Sequence, residues 1–167
     1  GRHTVEMRGR VQGLHATLDP SPAVLDILID PLSPELQVTL DEIGKHEPGL
    51  LFVNLVDFDM LYGHRRLPIE YYQALVEMDG WLPRWRAAMT DDELLVVTAD
   101  HGNDPTFRGS DHTREYVPLL VAGKAGVKTG VDLGTRATFA DIARTADAAL
   151  GLGKVTEGTG FLTQILA

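Results

Sequence analysis

The sequence contains no cysteine and few basic residues, with 15 lysines and arginines against 24 aspartates and glutamates in 167 positions. The lack of cysteine excludes disulfides, zinc–thiolate sites, iron–sulfur clusters and a thiol nucleophile, so any metal must be held by His, Asp and Glu. The formal net charge of -9 argues against nonspecific binding to nucleic acid or anionic lipid, because both attract basic surfaces. An acidic protein can still bind a phosphorylated substrate through metal ions.

Long apolar runs are also missing, since no stretch reaches the roughly 18 residues that a membrane-spanning helix requires. The first residues, Gly1 to Thr4, lack the charged-then-apolar pattern of a signal peptide. We therefore expect a cytoplasmic protein with no membrane partner. The sequence has no Gly-x-Ser-x-Gly, His-Glu-x-x-His, P-loop or Gly-x-Gly-x-x-Gly motif. Hydrolase triads and NAD binding therefore lose their support.

The chain does contain apolar runs that alternate with helical patterns. Three runs of strand length predict strands over 50–56, 94–98 and 116–122. Three further segments predict helices over 33–43, 68–89 and 139–150. The first two strands read as buried on both faces, which is typical of a parallel sheet. The alternation predicts an α/β fold with a mostly parallel sheet flanked by helices. We expect residues 1–34 to form an irregular or truncated N-terminal remnant and residues 35–167 to form a metal-binding α/β core domain.

Carboxylates and imidazoles follow the ends of the first two predicted strands. The candidate metal ligands are Asp59, His64, Asp100, His101 and His112. Ligands bind at the carboxyl ends of strands in α/β sheets, which makes these residues site candidates. Gly63 would let the chain turn back so that Asp59 and His64 face one ion.

Such a ligand set suits Mn, Zn or Fe better than Ca, and Mn or Zn are the leading choices. Five converging ligands are too many for one catalytic zinc, which keeps three protein ligands and an open position. Two metals that clamp an in-line phosphoryl transfer are the more natural interpretation.

Simpler interpretations exist for several of these residues. An Asp after a strand, such as Asp57, is often a helix cap, and a single His at a strand end is usually an ordinary hydrogen-bonded residue. Arg65 and Arg66 could clamp a phosphate or could be solvated. Trp81 and Trp85, four residues apart, predict core packing.

Two segments carry a specific resemblance. The stretches Asp-His-Gly-Asn-Asp-Pro at 100–105 and Asp-His-Thr-Arg-Glu-Tyr-Val-Pro at 111–118 closely resemble the C-terminal signature of the phosphopentomutase family. The block at 54–66, Asn-Leu-Val-Asp-Phe-Asp-Met-Leu-Tyr-Gly-His-Arg-Arg, resembles the same family's other metal segment. The resemblance covers roughly residues 35–167.

This resemblance implies an alkaline-phosphatase-like α/β core with two manganese ions. It implies an isomerase that interconverts ribose or deoxyribose 1-phosphate and the 5-phosphate through a phosphorylated threonine. Carried over by motif, Asp59, His64 and His112 would hold one ion, and Asp100 and His101 would hold part of the other.

The sequence also departs from the family. Intact members are much longer, and residues 1–34 show no counterpart of the family's nucleophilic threonine, of its further metal-binding aspartate or of its cap domain. We expect an incomplete core with an exposed sheet edge, which would favour an oligomer. The alternatives are a catalytically incomplete metal-binding fragment or paralogue, and a metal-dependent phosphohydrolase or phosphoglycerate-mutase-like enzyme. The stretch at 111–118 favours phosphopentomutase over the latter.

Overall fold

A computed structural model describes residues 23–27 and 32–167 of the chain. The strands are β1 (Ala23–Ile27), β2 (Gly49–Val53), β3 (Leu94–Thr98) and β4 (Leu119–Gly123). The helices are α1 (Leu32–Ile43), α2 (Pro68–Ala88), α3 (Ala140–Ala149) and α4 (Leu162–Ile165), with a π-helical turn at Phe58–Gly63. Most of the remnant expected at residues 1–34 lies outside the described residues, and the domain division stays a prediction.

The described strands form two separate pairs. β1 and β2 are parallel, with Ala23 opposite Gly49 and Ile27 opposite Val53. β3 and β4 are antiparallel, with Leu94 opposite Gly123. A parallel return needs a crossover, usually a helix, and residues 99–118 between β3 and β4 hold none. The α/β class is confirmed, whereas a mostly parallel sheet is not.

β2 and β4 are shorter than the apolar runs suggested, and β2 is less covered. β2 ends at Val53 instead of 56, and β4 begins only after Pro118, which cannot donate a ladder hydrogen bond. The side chains of β2 alternate, so that Leu50 and Phe52 are exposed while Leu51 is half-buried. This is the pattern of a strand covered on one face, so the expectation of burial on both faces is wrong for β2.

The main core lies between α1 and α2. Its buried members are Leu32, Leu36, Ala74 and Trp85, and partly buried Trp81 packs against them. The indole Nε1 of Trp85 donates a hydrogen bond to the Leu36 carbonyl at 3.2 Å, so the predicted packing role of both tryptophans is confirmed. α2 runs unbroken through Pro83. Pro83 is exposed, so water can reach the carbonyl that its missing N–H leaves unbonded.

Asp57 belongs to this core and not to a ligand site. It is buried, and its Oδ2 accepts a hydrogen bond from the backbone N–H of Leu32 at 2.9 Å. That N–H is at the start of α1, where backbone donors have no partner within the helix. The carboxylate therefore caps α1, which precedes it in the chain, and not the π-helical turn that follows it, for which Asp57 forms no side-chain cap.

The buried side chains of α3 are polar. The buried residues on this helix are Asp141, Thr145 and Asp147. The Asp141 carboxylate accepts hydrogen bonds from the Thr159 N–H at 2.7 Å and from Nε of Arg136 at 2.8 Å. The Thr145 hydroxyl accepts the N–H of Phe161 at 2.9 Å. These bonds fix the C-terminal segment onto α3.

Acid should weaken this attachment. The hydrogen bond from the Thr159 N–H lowers the pKa of Asp141, burial opposes this, and the Arg136 guanidinium lowers the pKa further. A depressed folded-state pKa gives stability that is present above the unfolded pKa of about 3.9 and is lost as the pH falls through the folded value. We expect Asp141→Asn to be less stable at pH 7 and to show a flatter decline in unfolding free energy below about pH 4.

Urea unfolding at a series of pH values measures both effects, and Asp92→Asn, at an exposed position, is the matched control. If Asp141→Asn and the wild-type chain declined in parallel below pH 4, the carboxylate would not carry this stability.

Within the described part of the chain, no helix combines the length and the apolar character needed to cross a membrane.

Candidate metal centre

A π-helical turn brings Asp59 and His64 together. The hydrogen bond from the His64 N–H to the Asp59 carbonyl, 2.9 Å long, joins residues five apart, which is the spacing that a π-helix closes. The two side chains therefore lie on the same side of the turn, with His64 Nε2 at 3.4 Å from Asp59 Oδ2. Asp59 and His64 thus lie on one face of the chain, as the sequence suggested, and a π-helical turn is the element that brings them together.

The third member of the cluster, His112, comes from the long connection between β3 and β4. An isolated bridge between Gly102 and Thr113 folds this connection back on itself, through a 2.9 Å hydrogen bond from the Thr113 N–H to the Gly102 carbonyl. His112 Nε2 then lies 3.3 Å from Asp59 Oδ1 and 3.2 Å from His64 Nε2.

These three residues fit a metal ion. Their donor atoms lie within 4.8 Å of one another, and one carboxylate with two imidazoles suits Mn, Zn or Fe. Ligands at about 2.0–2.2 Å from a common ion lie roughly 3.0–3.5 Å apart, which matches the separations of Asp59, His64 and His112.

The backbone selects the nitrogen that His64 offers to the cluster. Its Nδ1 lies 2.5 Å from the carbonyl oxygen of Ser110. Because a carbonyl can only accept, Nδ1 donates its proton to Ser110, and Nε2, which faces Asp59 and His112, is the nitrogen that could ligate a metal ion. A metal-ligating His commonly donates its other N–H in this way.

Asp100 and His101 adjoin the cluster without joining it. The rings of His101 and His112 stack with centroids 3.7 Å apart and planes at 19°. The Asp100 side chain is 87% exposed, and its Oδ1 lies 3.6 Å from His101 Nε2. Of the five candidate ligands, the structure gathers three and places the other two beside them, so a ligand role for Asp100 and His101 stays a prediction.

Two neighbouring residues were not identified as site residues from the sequence. Asn103 donates a hydrogen bond from Nδ2 to Asp59 Oδ1 at 2.5 Å. Tyr71 lies nearby, and burial raises the pKa of its hydroxyl, with the negative charge of Asp59 adding to the shift. Both line or border a cavity of about 240 Å³ beside the cluster. The Asp-His-Gly-Asn sequence could have identified Asn103, whereas no sequence motif marks Tyr71, which lies on α2.

The arginines after His64 take different places. Arg65 is exposed, whereas Arg66 adopts a left-handed backbone with φ 59° and lies near Asp104. The pKa of Asp104 is lowered, first by hydrogen bonds from Thr106 and to a smaller degree by the charge of Arg66. A phosphate-clamp role for either arginine stays a prediction.

Comparison with known proteins agrees with this centre. The model of the metalloenzyme superfamily matches residues 30–154. A phosphopentomutase from Alkaliphilus metalliredigens is 51% identical over 128 residues, which are 77% of this chain and 33% of that protein. One from Symbiobacterium thermophilum is 53% identical over 123 residues, 74% of this chain and 31% of that protein.

A third phosphopentomutase, from Acetivibrio thermocellus, is 52% identical over 128 residues, 77% of this chain and 33% of that protein. The chain therefore spans about a third of the length of the curated relatives it matches.

Proposed function

The chain belongs to the metalloenzyme superfamily, and from that premise we propose that it forms the metal-binding part of a phosphopentomutase. The observation that carries the proposal is the convergence of Asp59, His64 and His112 from two separate segments. The same two segments carry the phosphopentomutase signatures, and relatives of that name are about half identical to this chain. The proposed reaction interconverts ribose or deoxyribose 1-phosphate and the 5-phosphate.

In this proposal each residue of the metal centre has a defined role. Asp59, His64 and His112 hold one divalent ion, while Asp100 and His101 contribute to a second ion, and manganese suits both donor sets. When bound, the ions neutralise charge on the transferring phosphoryl group. The Ser110 carbonyl keeps Nε2 of His64 available as a ligand. The exposed carboxylate of Asp100 borders the solvent from which a phosphorylated pentose would approach.

The nucleophile is the part of this proposal that the described residues leave open. No threonine of this chain has been identified as the phosphoryl acceptor, and the chain spans only a third of its relatives' length. We therefore propose that turnover requires further residues, such as those that a phosphopentomutase of full length contains. These residues would pack against this core either as part of the same polypeptide or as a second chain in an oligomer. We also propose that the reaction takes place in the cytoplasm.

Metal binding and turnover can be tested separately. Elemental mass spectrometry after dialysis in micromolar Mn²⁺ should find at least one ion per chain of 167 residues, because the three-residue cluster is complete within the chain. A chain that binds no Mn²⁺ would refute the metal centre.

For turnover, the aligned 128 residues should replace their counterpart in the Alkaliphilus phosphopentomutase. The chimera should isomerise ribose 1-phosphate, and the same chimera with Asp59→Asn should not. A folded, manganese-loaded chimera that hydrolyses aryl phosphates but does not isomerise ribose 1-phosphate would favour a phosphohydrolase instead.

A further inference from the structure

We infer that Asn103 is a positioning residue of the metal centre, and that its side chain can reach Asp59 only because position 63 is glycine. The inference rests on the proposed metal-binding function and deepens it, since it assigns the interaction that orients the cluster's carboxylate.

The contact between Asn103 and Asp59 acts on a ligand oxygen directly. Nδ2 of Asn103 donates to Oδ1 of Asp59 at 2.5 Å. The same Oδ1 lies 3.3 Å from Nε2 of His112, while Oδ2 lies 3.4 Å from Nε2 of His64. A carboxylate is planar, so a donor held on one oxygen fixes the direction of the other. The Asn103 amide thus sets the rotation of the carboxylate relative to both imidazoles.

The identity of residue 103 follows from the same contact. An ionised carboxylate can only accept hydrogen bonds, so its partner must be a donor, and the amide of Asn supplies one without adding a positive charge. A lysine or arginine there would compete electrostatically with a bound cation, whereas an aspartate would place two acceptors against each other. A neutral donor satisfies Asp59 and leaves its charge for the metal.

Gly63 makes room for this amide. The backbone of Gly63 lies at the end of the π-turn and is not among the glycines with positive φ, so its conformation alone does not demand glycine. A methyl group at position 63 would lie 2.5 Å from Cγ and 2.8 Å from Oδ1 of Asn103. Its three nearest neighbours all belong to Asn103. The expectation that Gly63 serves to reverse the chain is therefore replaced by a close-approach role.

The segment that carries Asn103 also carries His112. The backbone N–H of Asp104, the next residue, donates to the Thr113 hydroxyl at 2.8 Å, and Thr113 directly follows His112. The Asn103 to Asp59 hydrogen bond spans 44 residues and joins this folded-back loop to the π-turn. It therefore holds the two ligand-bearing segments in register.

A double-mutant cycle tests the inference through metal affinity, with no assay of activity. Mn²⁺ dissociation constants of the full chain, measured by calorimetry, should rise about 10- to 100-fold in Asn103→Ala, as is typical when a partner of a metal ligand is removed. Gly63→Ala should cause a similar loss by displacing the amide. The double variant should bind no more weakly than Asn103→Ala, because the truncated side chain leaves space for the new methyl group.

Two further variants separate positioning from packing. Asn103→Leu keeps the four side-chain heavy atoms and the branch point of asparagine but has no donor, so it should lose affinity as Asn103→Ala does. Asn54→Ala removes the chain's other asparagine side chain, at an exposed position, and should bind Mn²⁺ like the wild type. Thermal unfolding of each variant reports whether the fold is kept.

Wild-type affinity in Asn103→Leu would overturn the positioning role, since space filling alone would then suffice. Additive losses in the double variant would overturn the role assigned to Gly63. If Gly63→Ala fails to fold, Asn103→Ala and Asn103→Leu still decide the role of the amide. A wild-type chain without Mn²⁺ affinity would refute the metal centre itself, which is a different result from either of these.

Discussion

Asp59→Asn should lower the Mn²⁺ affinity of the chain more than about 100-fold, beyond the range expected for loss of a residue that only supports a ligand. Asp59 supplies the one carboxylate of the three-residue cluster, and its two oxygens face His112 and His64 at 3.3 and 3.4 Å. Asparagine keeps the shape of the side chain but removes the negative charge that attracts the metal cation, and its amide nitrogen cannot coordinate the ion. Calorimetric titration of the metal-free chain measures the change.

The matched control for this variant is Asp111→Asn. Asp111 is an exposed aspartate next to His112, so its removal lowers the local negative charge by the same amount without removing a member of the cluster. We expect its Mn²⁺ affinity to change only a few-fold. Equal losses in the two variants would mean that general electrostatic attraction, and not coordination by Asp59, accounts for binding.

Phe161→Ala should lower the free energy of unfolding by about 3–5 kcal/mol, the range for truncating a fully buried phenylalanine. The Phe161 side chain is 0% exposed, and the Arg136 guanidinium lies over its ring at 5.6 Å. The residue's own N–H is held by Thr145 on α3, so the surroundings are fixed by hydrogen bonds and can collapse little into the cavity. Urea unfolding at neutral pH measures the loss.

Phe139→Ala makes the same substitution at an exposed position and is the matched control. The Phe139 side chain is 54% exposed, and it forms no side-chain cap for α3. Its truncation should change the unfolding free energy by about 0.5 kcal/mol or less, as is usual for surface substitutions. Comparable losses at both positions would show that the C-terminal segment is not anchored through Phe161.

Much of the local structure could be predicted from sequence patterns. β3 was predicted with its observed bounds, and α2 and α3 agree to within one residue at each end. These elements have strong local signals: the apolar run Leu-Leu-Val-Val for β3, and an initiating Pro68 for α2. α1 was predicted to begin at residue 33, one residue after its observed start at Leu32, and the packing of Trp81 and Trp85 followed from their spacing.

Pairing and burial were harder to predict, because they depend on residues distant in sequence. The apolar run at 50–56 has the composition of a strand covered on both sides, but coverage is decided by what packs against it, and Leu50 and Phe52 are exposed. The direction of β4 relative to β3 follows from the path of a helix-free connection. On α3, Asp141 is buried because the Thr159 N–H and Arg136 reach it.

The sequence by itself determined which residue types are available for chemistry and in which order they occur: carboxylates and imidazoles after strand ends, no thiol, and the motifs that place the chain in a metalloenzyme superfamily. Only the tertiary structure decided which of them meet. It selected Asp59, His64 and His112 through a π-turn and a folded-back loop, and it placed Asn103 against Gly63. Coordination and close contact depend on distances of about 3 Å, which spacing along a chain does not specify until the chain is folded.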